Sequence, residues 1–160
     1  PAAGCLCPEN ALLGAVVNAI GLRRDEAILM DTQAGFEHFG RALAKGFKHA
    51  LVVTDPSFNG IQVALAAARL AAELDVDGVH LVVNGVRHPD EFSRAMDRVD
   101  TAGGFPFASI HCLPYQERLW QTEPSVAPLL EDPDSSLINA LDGLLDTLVA
   151  PRARLSSCAS

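Results

Sequence analysis

Four short aliphatic runs constrain the fold of this chain more than any other feature. They span residues 27–31 (AILMD), 50–54 (ALVVT), 79–84 (VHLVVN) and 107–113 (FASIHCL). Each is too short for a helix of ordinary length. Each is apolar at consecutive positions rather than alternating, as strands buried on both faces are. Helical patterns lie between them, at 37–46, 57–74 and 89–99, with a further one before the first run at 8–21 and one after the last at 135–149. The first helical stretch has Pro near its start and Gly at its end, the asymmetry helix boundaries prefer. The last puts Leu137, Leu141, Leu144, Leu145 and Leu148 on one side. Strand alternating with helix predicts right-handed βαβ units and an α/β, doubly wound, mostly parallel sheet with flanking helices. Hydrophobic residues make up 49% of the chain and aromatics only 6%, which suits an aliphatic core of helices on a sheet. Residues 1–150 read as one domain, with 100–106 and 122–134 as loops and 151–160 as a disordered tail.

Charge and cysteine usage exclude several functions. The net charge of −8 repels nucleic acid and anionic lipid, so neither is an expected partner. The longest apolar helical stretch, 63–74, is broken by Arg69 and Glu73, which leaves no transmembrane candidate. The four cysteines are Cys5, Cys7, Cys112 and Cys158. Cys5 and Cys7 are too close for an unstrained disulfide, and the set does not resemble a secreted disulfide scaffold. The chain therefore reads as cytoplasmic. It shows no leader pattern and does not open on Met, so it is read as the greater part of a longer reading frame.

In an open parallel sheet, ligands sit beyond the carboxyl ends of the strands. The informative positions are then Asp31, Asp55, Asn84 and Pro114. Asp31 opens Asp31-Thr32-Gln33-Ala34-Gly35. A carboxylate there either holds Mg²⁺ through water, with the Gly near a γ-phosphate, or caps the next helix. Asn84 can offer donor and acceptor to one purine edge, or it makes a turn with Gly85. Pro114, followed by Tyr115, has a carbonyl that can face an adenine amino group, or it is an ordinary loop proline. Cys5-Leu6-Cys7 precedes Pro8 and a helix N-terminus that favours thiolate. One such pair cannot complete a four-ligand site, but two copies across a two-fold axis can.

The strings Gly4-Cys5-Leu6-Cys7-Pro8-Glu9-Asn10 and Asp31-Thr32-Gln33-Ala34-Gly35-Phe36-Glu37-His38 carry a resemblance. They are similar to the metal-binding and switch segments of CooC-type proteins, the nickel-inserting ATPases that serve carbon monoxide dehydrogenase. These belong to the MinD/ParA-like class of dimerising P-loop ATPases. The resemblance runs from Gly4 to about Leu130 and takes in residues 82–87 and 113–115. It implies a homodimer holding Ni²⁺ or Zn²⁺ between paired Cys5 and Cys7. It also implies ATP/ADP with Mg²⁺, Asp31 and Gly35 in the catalytic switch, and Asn84, Pro114 and Tyr115 around the base. The implied client is a carbon monoxide dehydrogenase-type metalloenzyme.

The sequence departs from that pattern in two places. No Gly-Lys-Ser/Thr occurs in the chain, so it carries no Walker A loop. The expectation is that the chain as it stands does not hydrolyse ATP, and that a sheet without its first strand exposes apolar surface and leans on another chain. Gln33 stands where a carboxylate is usual in the family. His38 and His80 are read as packed or switch residues rather than metal ligands, and Cys112 as a small hydrophobe. Two other functions fit parts of the sequence. A non-catalytic metal-binding or regulatory relative needs no P-loop. A positioning ATPase of the MinD/ParA kind would often end in a basic amphipathic helix, whereas the last helix here carries Asp142 and Asp146 and no Lys or Arg.

Overall fold

The computed structural model describes residues 15, 16, 19, 20, 26–31, 47–73, 76–122, 124–132 and 135–149. Within them the order is β1 (His49–Thr54), α1 (Phe58–Ala72), β2 (Gly78–Val86), α2 (Pro89–Thr101), β3 (Ser109–Pro114), two single-turn helices α3 (Leu119–Thr122) and α4 (Ala127–Leu130), and α5 (Ser136–Val149). The sheet order is β1-β2-β3, and both pairings are parallel. Each crossover is a helix, as a parallel pair requires.

Helix α1 forms because its apolar residues recur at helical spacing and its start is capped. Ser57 Oγ accepts the N–H of Gly60 at 3.0 Å. Ile61, Ala64, Leu65, Ala68 and Ala71 are buried, the i, i+3, i+4, i+7 stripe of a helix lying on a sheet. Helix α2 begins with Pro89 and carries Asp90 and Glu91 in its first turn and Arg98 in its last, all favourable to its dipole. It buries Ala95 and Val99 beside α1. Together these helices cover one face of the sheet, where Val52, Val79, Leu81 and Val83 join the core. Strand alternation sends His80 and Val82 to the other face. They are only 3% and 1% exposed, so that face is covered too. Helix α5 packs against β3 and buries Leu144 outside the α1/α2 core.

Three differences from the sequence expectation stand out. Residues 26–31 pair with no strand, and Leu29 is 85% exposed. An aliphatic run becomes a strand only where neighbours supply its ladder and cover its faces, and among the described residues none do so here. The stretch 122–134, read as a loop, contains α4, whose Leu129 is buried. Strand β2 also runs past Asn84 to Val86, because Asn84-Gly85 makes a bulge instead of a turn. Of the helix expected at 8–21, Ala15, Val16 and Ala19 are helical. The helix expected at 37–46 and the tail 151–160 lie outside the described residues.

Candidate functional site

The carboxyl ends of the strands form one rim, and β2 builds its centre. Val83 pairs with Cys112 and Val86 with Pro114, so Asn84 and Gly85 together oppose Leu113 alone. Gly85 has φ +73°, a conformation that costs Gly little. With plain alternation Val86 would face away from Val83. The extra residue returns it to the same core, where it is 7% exposed. Asn84 is left exposed at the rim.

The loop after β3 is tied to this bulge. Tyr115 N–H donates to Val86 carbonyl oxygen at 2.9 Å. The Arg87 guanidinium lies 4.3 Å from the centre of the Tyr115 ring, a cation–π stack. Asn84, Pro114 and Tyr115, expected together, are therefore brought to adjacent strand ends. Arg87 joins them and was not singled out from sequence. The signal was present, since it is the first charged residue after the strand-end Asn-Gly pair.

A second cluster lies at the mouth of β1 and α2. Asp55 Oδ1 accepts the Ser57 N–H at 2.8 Å. The Ser57 hydroxyl and then its N–H hold the Asp55 carboxyl below its ordinary range, against a smaller upward push from burial. Arg98 Nη1 donates to Pro56 carbonyl oxygen at 2.8 Å, pinning the β1–α1 loop to α2. Glu91 accepts the Arg87 N–H at 2.8 Å. That bond, then the one from the His88 N–H, lowers the pKa of Glu91. These residues line a cavity of about 600 Å³ with Ser57, Phe58, Gly85 and Arg94.

A third feature crosses the sheet on the face opposite the α1/α2 core. His49 Nδ1 lies 3.0 Å from His80 Nε2. His80 Nδ1 lies 2.6 Å from Ser109 Oγ, which is 2.7 Å from His111 Nε2. His80 is packed, as the sequence suggested, and its pKa is lowered, first by burial and then by the charges of His49 and His111. A side chain on Gly78, the ladder partner of His49, would come within 3.0 Å of His80 Nε2, so the glycine leaves room for the pair.

Asp31 is exposed at the end of the unpaired segment. Gly35, Cys5 and Cys7 lie outside the described residues. Among the described residues no group of three or more His, Cys, Asp or Glu is placed to hold a metal, and no helix is long and apolar enough to cross a membrane.

No family model matches the chain. Curated relatives do. The chain is 32% identical over 109 residues to the carbon monoxide dehydrogenase accessory protein CooC of Rhodospirillum rubrum, covering 66% of this chain and 41% of CooC. It is 34% identical over 88 residues to an uncharacterized ATP-binding protein of Methanocaldococcus jannaschii, covering 55% of this chain and 34% of that one. Another such protein of the same organism is 29% identical over 136 residues, 83% of this chain and 51% of the relative. The chain thus spans about half the length, or less, of the curated relatives it matches. The parallel α/β sheet and the quoted strings agree with these relatives: the chain is similar to CooC and to ATP-binding proteins over part of their length.

Proposed function

We propose that this chain is the base-reading and metal-presenting part of a cytoplasmic, ATP-driven metallochaperone that inserts nickel into a carbon monoxide dehydrogenase-type enzyme. The observation that carries this reading is the rim of Asn84, Pro114 and Tyr115, formed by adjacent strand ends and braced by Arg87. Asn84 is free to give a purine edge both a donor and an acceptor. A flat platform beside it suits stacking of the base. Bound ATP would supply phosphoryl-transfer energy, with Mg²⁺ beside Asp31 and Gly35 in the switch turn. Residues that cradle phosphates in a Walker A loop are not in this sequence, so the chain contributes the base end of the site.

The nickel cargo would sit on Cys5 and Cys7, shared with a second copy in a homodimer. Thiolates take Ni²⁺ and Zn²⁺ alike.

Equilibrium dialysis of the chain against ADP and GDP tests the nucleotide part. ADP is expected to bind the more tightly, and Asn84→Ala to remove the preference. Equal retention of the two nucleotides would overturn it. Metal stoichiometry with Ni²⁺ tests the other part. One ion per two chains is expected, lost in Cys5→Ser. An unchanged stoichiometry sinks the cargo site. Nickel binding without any adenine preference would instead favour a non-catalytic metal-binding relative, a reading suited to a sequence with no Walker A loop.

A further inference from the structure

The cavity between the β1–α1 loop and α2 adjoins the base-reading rim and shares Gly85 and Arg87 with it, but Asn84, Pro114 and Tyr115 do not line it. Arg87, Arg94 and Arg98 line it in a chain of net charge −8. Their spacing of seven and four residues carries them along one side of α2 and its entry loop.

The donors and acceptors of this cavity are unequally used. Asp55 and Glu91 already accept backbone N–H groups, from Ser57 and Arg87, and both carboxyls are held ionised. The guanidiniums are less occupied. Arg98 gives one N–H to Pro56, and Arg87 turns a face to Tyr115, which leaves in-plane donors. Arg94 is exposed and makes no hydrogen bond among the described residues. The cavity therefore has donors to spare and few free acceptors.

We infer that this groove docks an acidic peptide segment of a partner protein, with carboxylates on Arg94 and Arg98 and an apolar side chain against Phe58. Arginine matches a carboxylate with two parallel hydrogen bonds. Three features favour a peptide over a phosphate group. The volume of about 600 Å³ exceeds what a single tetrahedral anion fills. Two ionised carboxylates on the wall oppose a dense multiple charge more than they oppose single charges spread along a chain. Phe58 lines the groove and is 59% exposed as a residue, an apolar anchor of no use to inorganic phosphate.

The test is fluorescence anisotropy of the chain with a labelled peptide of alternating Glu and Leu, against the same peptide with Gln for Glu. Binding is expected for the Glu peptide, with loss of about tenfold in affinity in Arg94→Gln, the size of one charge-assisted contact. Arg118→Gln, outside the groove, is expected to bind as the parent does, and circular dichroism verifies that each variant is folded. The inference is overturned if the Gln peptide binds equally, if Arg94→Gln changes nothing, or if inorganic phosphate at low millimolar concentration displaces the peptide. It is also overturned if sedimentation shows that a second copy occupies the groove, with self-association lost in Arg94→Gln and no peptide binding. These readouts use no nucleotide or metal, so their failure is distinct from failure of the function proposed above.

Discussion

Gly60 shows how closely the rim is built at single residues. It occupies the first turn of α1, where alanine is ordinarily better by about 1 kcal/mol. Here a Cβ would collide with the Asp55 carboxylate and lie 2.7 Å from Thr54 Oγ1. The two side-chain oxygens can turn aside, but the Asp55 carbonyl oxygen 3.0 Å away is backbone, and overpacking there costs about 1–3 kcal/mol, which outweighs propensity. Gly60→Ala is therefore expected to lower the thermal midpoint by several degrees, while Ala66→Gly, an exposed site on the same helix, is expected to cost only the propensity difference. Ser57→Ala removes the cap on Gly60 and is expected to cost about 1 kcal/mol in chemical denaturation. It also removes the hydroxyl that does most to hold Asp55 ionised, so the titration of that carboxyl should move back up toward its ordinary value. Little of this residue-level detail was legible in the sequence. The positions of Asn84 and Pro114 were, because Pro114 ends an obvious strand and Asn84 lies two residues short of the end of another. Arg87 was legible only as a charge just beyond the Asn-Gly pair; its stacking partner, a ring in the next βα unit, was not.

At the scale of elements the sequence was far more informative. Strands β1, β2 and β3 and helices α1, α2 and α5 all lie where the apolar runs and helical stripes put them, to within a few residues. The run at 27–31 failed for a physical reason: its composition is that of a strand, but pairing is not a local property. Helix α4 was missed because one turn leaves no period to read. The central strand should be the most sensitive element. Leu81 is fully buried between α1 and the sheet, and Leu81→Ala is expected to cost about 2–5 kcal/mol in urea unfolding. The opposite face should respond to pH. His80 in the folded chain sits below its ordinary value of 6.5. Between those two values the unfolded chain binds more protons, so stability is lost as pH falls through the ordinary histidine range toward the lowered one. Unfolding midpoints measured from pH 8 down to about pH 5 should fall, and His80→Gln should flatten that slope. A midpoint independent of pH, or one that rises on acidification, would contradict the packing of the histidine chain.

For the whole molecule, charge is the property read most directly. A net charge of −8 predicts no retardation of a DNA duplex in gel shift, and no retention on phosphatidylserine vesicles at low salt. Retardation or retention would instead show that the local arginine groove outweighs the overall field. The fold class too was legible, because consecutive apolar runs separated by helices leave few other solutions. The one-residue insertion against Leu113 has a wider consequence. It acts as a phase shifter, letting the buried half of β2 and its outer tip be tuned separately. Substituting Asn84 can retune ligand choice without touching the interior. Deleting Gly85 would instead turn Val86 out of the interior and pull Tyr115 from its anchor, so shortening the chain by that glycine should be far worse than shortening a connecting loop by one residue.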